Sequence, residues 1–256
     1  MLALLSPAKK LDITAARTDL PATRPVFLKD AIALAAIARQ LTKRQLAGLM
    51  GISDKLAALN HARFQAFAPT ATVDNAKHAL LAFAGDTYIG FNAKTLSDDD
   101  LAYAQDHVRI LSGLYGLLRP LDLIQPYRLE MGTALANPKG EDLYDYWGDK
   151  LTTEINKIIA QEKTPVVVNL ASAEYFSALK PEKLKARLVT PVFKEEKGGV
   201  AKVLGMMAKR ARGMMARYIV EERITDPDAL KKFSAGGYRY QPAASTAEMP
   251  VFHRKG

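Results

Sequence analysis

The segment Pro165-Val-Val-Val-Asn-Leu170 constrains the fold of this chain more than any other. Three consecutive valines followed by Asn and Leu are apolar on both faces of an extended strand, and β-branching favours that conformation. Such a strand must be covered on both sides, which places it in the interior of a sheet with helices packed against it. Polar residues follow directly: Asn169, Ser172, Glu174 and Tyr175 emerge at the carboxyl end of the strand. That end is where α/β sheets place their sites. Asn169 or Ser172 serves equally well as a cap for a following helix.

Leu2 to Leu5 reads as a second buried strand. Helices are expected over about 29–41, from Thr42 to about 50 with Gln45 completing a capping box, and from Ser53 to about 67. Residues 80–83 read as a short buried strand. Ser97 and three following aspartates open a helix whose apolar positions, Leu101, Ala104, Val108, Leu111, Tyr115 and Leu118, continue until Pro120. Another helix is expected over 143–160, further strands over 188–193 and 200–204 with a hairpin through Gly198-Gly199, a helix over 206–223, and terminal strands over 238–241 and 249–252. This interleaving predicts a mixed α/β fold, α+β in detail, with a mixed sheet and flanking helices. No repeat, low-complexity tract or linker divides residues 1–256, so a single domain is expected.

Cysteine is absent, which excludes disulfides, cysteine-ligated metals and thiol chemistry. The longest apolar stretch, 31–38, is far too short to span a bilayer, and the lysines of the amino terminus follow the apolar run instead of preceding it. A cytoplasmic protein without membrane association is expected. The net charge of +9 points to an anionic partner. Residues 1–65 carry 10 basic and 4 acidic side chains, 66–160 carry 8 and 13, and 161–256 carry 18 and 10, so the excess lies at the two ends. Between Lys197 and Arg217 there is no acidic residue, while Lys202, Lys209, Arg210 and Arg212 fall inside that interval. Two readings follow: a solvated helix face balanced by acids from elsewhere, such as Asp98, Asp99 and Asp100, or a surface for phosphates.

Residues 46–63 hold two short helices meeting at an apolar-Gly-apolar turn, with Lys43, Arg44 and Lys55 beside it. The pattern resembles a helix-hairpin-helix DNA-binding element, about 42–67, in which amides at the second helix start face a phosphate. Ser53 stands where that element usually has its second glycine, and an ordinary αα-hairpin fits the same pattern. A second constellation, residues 112–132, is dense in Arg, Tyr, Gly and Pro and holds Arg119 and Arg128 on a rigid loop. There is no P-loop, dinucleotide-binding, zincin or nucleophile-elbow motif. His61, His78, His107 and His253 are scattered, so no metal site and no cofactor are expected, and the paired methionines at 206–207 and 214–215 read as core filler.

Residues 5–9, 52–56, 111–122, 125–132, 169–172, 174–176 and 211–214, containing the strings Leu-Ser-Gly-Leu-Tyr-Gly-Leu-Leu-Arg-Pro-Leu-Asp and Gln-Pro-Tyr-Arg-Leu-Glu-Met-Gly, resemble the YaaA family from Met1 to about Phe252. These are bacterial peroxide-stress-response proteins, also catalogued as a family of unknown function. The resemblance implies a cytoplasmic protein that helps bacteria survive hydrogen peroxide by limiting free iron and oxidative DNA damage. It further implies one compact α/β fold with a helix-hairpin-helix beside a positively charged cleft, and binding of double-stranded DNA, bent or branched forms included. The hairpin maps onto Gly51, Ile52, Ser53 and Lys55. From charge and motif, the cleft candidates are Lys9, Arg109, Arg119, Arg128, Lys209, Arg210 and Arg212.

Two functions compete on these residues. One is a DNA-binding stress protein acting through backbone contacts. The other is an enzyme acting on a small phosphorylated or nucleotide-like anion, with Arg119 and Arg128 as anion clamps, Glu174 as general base, and Ser112, Tyr115, Asn169, Ser172 and Tyr175 as further polar groups. Direct iron chelation fits poorly without Cys and with few His, although carboxylate ligation stays open.

Overall fold

The valine-rich segment is a strand over Val166–Leu170 with every residue buried. The structure is a computed structural model and describes residues 1–14 and 19–255. In chain order its elements begin with β1 (Leu2–Leu5), α1 (Leu28–Arg39), α2 (Lys43–Met50), α3 (Asp54–Ala66), β2 (Lys77–His78), α4 (Ala79–Ala82), α5 (Asp86–Phe91) and α6 (Asp98–His107). They continue through β3 (Val108–Ser112), β4 (Gly116–Leu118), β5 (Leu123–Ile124), α7 (Leu143–Trp147), α8 (Lys150–Ile159), β6 (Val166–Leu170) and α9 (Ala173–Phe176). The chain finishes with β7 (Arg187–Val189), β8 (Val192–Lys197), β9 (Val200–Lys202), α10 (Gly205–Glu221), β10 (Arg239–Tyr240) and β11 (Val251–Lys255).

The main sheet has the order β4-β3-β1-β6-β7. The fully buried β1 is its centre, parallel to β3 on one side and to β6 on the other, with β7 parallel to β6 and β4 antiparallel at the edge. Leu5 is in register with Leu170, so β1 and β6 end level with each other. A second sheet, β10-β11-β8-β9, contains one parallel and two antiparallel pairs, and β2 and β5 form a third. Mixed sheets with interleaved helices are the α/β organisation expected from the sequence. The β8–β9 hairpin turns through Gly198 and Gly199 at φ of 59° and 78°, the double positive φ of a tight turn matched to strand twist. Among the described residues no helix is long and apolar enough to cross a membrane.

Four expectations are corrected. Residues 79–82 form a helical turn, not a strand; all four are buried, and a short apolar run fits either state. The helix opened by Ser97 ends at His107, and Val108–Ser112 is a strand. Its apolar positions happened to continue the helical spacing, but β3 is buried on both faces beside β1, and Arg109 turns back to donate to Gln105 O and Val108 O at 2.8 Å each. The expected helix over 143–160 is two helices separated at Gly148, whose φ of 46° leaves the helical region. The strand expected over 188–193 divides at Thr190-Pro191, with β7 in the main sheet and β8 in the second.

Helices α5 and α10 meet backbone to backbone. A Cβ on Gly213 would lie 1.8 Å from Thr87 O, and one on Gly90 would lie 2.0 Å from Arg210 O. Only glycine permits this approach, and it draws the amino-terminal half of α10 against Asp86 and Thr87.

Candidate functional site

A cavity of about 550 Å³ opens at the level carboxyl ends of β1 and β6. One wall is the loop leaving β1, from Ser6 to Lys10, and the other is the turn leaving β6, with Ser172, Glu174 and Tyr175. Gly85 to Thr87 of the α5 start, Glu130, and Lys209 and Arg212 of α10 complete it.

The two walls are tied together. Ser6 Oγ accepts from the Ser172 backbone N–H at 2.8 Å and lies 3.3 Å from Ser172 Oγ, while Tyr88 donates its hydroxyl to Ser6 O at 2.9 Å. Glu174 is fixed from both ends: its Oε1 accepts from Gly132 N–H at 3.1 Å and its carbonyl accepts from the Tyr144 hydroxyl at 2.9 Å. Burial pushes the Tyr88 and Tyr175 phenols far above their ordinary range, so both remain protonated hydrogen-bonding groups.

Of the six polar candidates, Ser172, Glu174 and Tyr175 line this cavity. Asn169 is buried at the strand end, where its Oδ1 accepts from Ala171 N–H at 3.0 Å. Ser112 and Tyr115 are fully buried elsewhere in the core: Ser112 Oγ lies 2.6 Å from the Tyr127 hydroxyl and accepts from Tyr115 N–H, and the Tyr115 hydroxyl accepts from Gln125 N–H at 3.0 Å.

The basic candidates separate into four groups. Lys9, Lys209 and Arg212 line the cavity, and Lys9 pairs with Glu130 at 2.5 Å. Arg128 pairs with the other oxygen of Glu130 at 3.0 Å, and the Arg63 guanidinium of α3 is depressed by burial and by nearby Arg128. Arg210, exposed on α10, and the two cavity cations beside it, Lys209 and Arg212, have no ion pair among the described residues, and Asp100 pairs instead with Arg223. Arg109 and Arg119 are not brought to this cavity; they line a separate depression with Arg24 and Glu154. Burial lowers the Arg109 guanidinium to about 10, and Arg119 holds the buried Asp122 at 3.2 Å.

The hairpin of residues 42–67 is formed by local capping. Thr42 and Gln45 make a reciprocal capping box, Gly51 closes α2 at φ 60°, and Ser53 accepts from Leu56 N–H to open α3. Leu46, Ala57 and Phe64 are buried inside, whereas Lys43, Arg44, Gly51, Ser53 and Lys55 are exposed and Ile52 is half-buried. Lys43, Arg44 and Lys55 have no ion pair among the described residues. Asp54 supplies a carboxylate to the first turn of α3.

Sequence reasoning missed Ser6, Lys10, Asp86 and Glu130 as cavity residues. The available signal was Ser6-Pro-Ala-Lys-Lys10 directly after a buried strand, the same strand-end position that singled out Ser172 and Glu174.

The family described as peroxide stress protein YaaA matches residues 1–244. A UPF0246 protein of Shewanella baltica (strain OS195) is 52% identical over 254 residues, covering 99% of each chain. A UPF0246 protein of Ruegeria pomeroyi is 52% identical over 254 residues, covering 99% of this chain and 98% of its own. One of Ralstonia pickettii is 52% identical over 255 residues, covering 100% and 99%. With matches of this length and identity, the chain belongs to the YaaA family of peroxide stress proteins.

Proposed function

We propose that the protein binds double-stranded DNA through its phosphate backbone as part of the peroxide stress response, protecting the duplex from oxidative damage and helping to limit free intracellular iron. The observation that carries this reading is the set of exposed cations without ion pairs: Lys43, Arg44 and Lys55 on the capped hairpin, and Lys209 and Arg210 on α10. Cations left unpaired by the protein are free to neutralise phosphates and so displace the counterions condensed on a duplex, and that release gives affinity without sequence preference. Arg63, Arg128 and Lys9 supply further positive charge, and Glu130 offsets one unit of it. Arg109 and Arg119, committed to capping and to Asp122, lie outside the proposed surface.

Fluorescence anisotropy with a labelled duplex tests the proposal. Affinity is expected to fall steeply between about 50 and 200 mM salt and to be the same for unrelated sequences. The Lys43→Glu, Arg44→Glu, Lys55→Glu triple variant is expected to weaken every duplex alike and to flatten the salt slope. Absence of binding by the unsubstituted protein at low salt overturns the reading.

A further inference from the structure

The crevice between β1 and β6 is a topological switch point. From β1 the chain proceeds to β3 on one side, and from β6 to β7 on the other, so the two outgoing loops diverge. Open α/β sheets bind ligands in such crevices because the diverging loops leave a gap that the strand ends floor. The volume here, about 550 Å³, lies within the roughly 300–1,000 Å³ of small-molecule sites.

The charges lining the cavity describe its ligand. Arg212 is half-buried, its guanidinium depressed by burial, yet it has no hydrogen bond or ion pair among the described residues. A cation withdrawn from water normally finds a partner within the protein. Lys10 and Lys209 stand at the rim, also without ion pairs. In the same cavity, Asp86 is half-buried and without a partner among the described residues, and Glu174 has one carboxylate oxygen in use, on Gly132 N–H. An unpaired guanidinium and an unpaired carboxylate therefore line one cavity without contacting each other. A ligand satisfying both carries an anionic group and, apart from it, hydrogen-bond donors, since carboxylates only accept and guanidinium only donates. Pro7, Ala8, Leu170 and Ala173 give part of the wall an apolar character suited to the body of such a molecule.

A duplex backbone does not have this chemistry. It is anionic throughout, and Asp86, Glu130 and Glu174 oppose it. A free amino acid carries both ends but is too small for the volume. We propose that this cavity binds a free purine-nucleotide-sized small molecule, its phosphate on Arg212 with Lys10 and Lys209, and an amino-bearing ring directed to Asp86 and Glu174. The site shares Lys9 and Lys209 with the duplex reading, whereas Lys43, Arg44, Lys55 and Arg210 do not line it, so Arg212 and Asp86 are the positions that separate the two.

Isothermal titration calorimetry on the full chain separates the outcomes, with adenosine monophosphate, inosine monophosphate and inorganic phosphate as probes. Adenosine monophosphate is expected to bind with Kd below about 1 mM, and inosine monophosphate and phosphate alone at least about tenfold more weakly. Inosine monophosphate places a carbonyl where the carboxylates require an amino donor. Arg212→Ala is expected to weaken adenosine monophosphate at least about tenfold while changing duplex affinity less than about twofold. The hairpin triple variant is expected to bind the mononucleotide normally. Should Arg212→Ala fail to fold, Asp86→Asn serves instead and is expected to abolish the preference for adenosine over inosine monophosphate. The proposal is overturned if no heat accompanies adenosine monophosphate up to about 5 mM, if inosine monophosphate binds as well, or if Arg212→Ala weakens the duplex and leaves the mononucleotide unaffected.

Discussion

The side-chain oxygen of Ser6, one residue beyond β1, accepts the backbone N–H of Ser172, two residues beyond β6, at 2.8 Å. A single hydrogen bond thus spans 166 residues of sequence and joins the two strand ends that floor the candidate cavity. Replacing Ser6 by alanine removes the acceptor and leaves a half-buried amide unsatisfied, which costs about 1–3 kcal/mol. Ser6→Ala is therefore expected to lower the urea midpoint without changing the slope of the transition. An unchanged midpoint would show that water satisfies the Ser172 amide equally well.

Gly213 and Gly48 make opposite predictions. A Cβ on Gly213 meets Thr87 O at 1.8 Å and Phe91 N at 2.8 Å, both backbone atoms that cannot rotate away. Gly213→Ala must push α5 from α10 and is expected to cost several kcal/mol, about 3 or more, while distorting the wall that carries Asp86. Gly48 is within α2, with nothing inside 4 Å of an added Cβ. Gly48→Ala is expected to stabilise the protein by about 0.5–1 kcal/mol through the helix propensity of alanine. Thermal denaturation of the two variants side by side checks both signs.

The exposed and the committed arginines are separable by the same logic. Reversing the charge of Lys209 and Arg210, which make no ion pairs among the described residues, is expected to weaken duplex binding about tenfold or more at low salt with little change in stability. Arg119→Gln is expected to do the reverse. It strips two guanidinium contacts from the buried Asp122, at 3.2 and 3.3 Å, leaving the Arg119 amide and Thr23 Oγ1 as its remaining donors. A loss of about 1–3 kcal/mol in stability with duplex affinity within about twofold is the expected result. Equal effects of both changes on binding would mean that Arg119 also contacts the nucleic acid.

The parts of this fold that sequence made legible are those governed by local chemistry. Thr42 with Gln45, Ser53 and Ser97 each announce a helix start through a side chain that satisfies an amide a few residues away, and all three caps are present. Residues 108–118 continue the helical spacing because Val108 and Leu111 follow on from Leu101 and Ala104; for a strand buried on both faces, periodicity carries no face to detect. Charge counting gives Arg109 and Arg119 the same weight as Lys209 and Arg210, whereas the structure shows the first two held by carbonyls and by Asp122. In the cavity, Ser172 and Glu174 were legible from their place after a strand, whereas Ser6 and Asp86 join them only through the Leu5–Leu170 register and the glycine contact of α5 with α10.

Asp12 makes the stability of this protein acid-sensitive. Its Oδ1 accepts from the hydroxyl and the amide of Thr14 at 2.7 and 3.1 Å and faces Lys77 Nζ at 3.1 Å, while Oδ2 faces Lys94 Nζ at 3.0 Å. The Thr14 hydroxyl, then Lys94 and the Thr14 amide, hold this carboxyl far below its ordinary value of about 4. A carboxyl whose folded value is depressed stabilises the fold fully above its unfolded value and loses that contribution as pH falls toward the folded one. Wild-type stability is therefore expected to drop progressively below about pH 5, continuing to about pH 2, in part through Asp12. Asp12→Asn keeps the shape and removes the titration. Its urea-derived stability is expected to lie below wild type at neutral pH and to converge with it on acidification. Solvent reaches this site, so the gap is smaller than the shift alone implies, and salt narrows it further. A gap that stays constant from neutral pH to the acid limit would assign the acid sensitivity to other carboxylates.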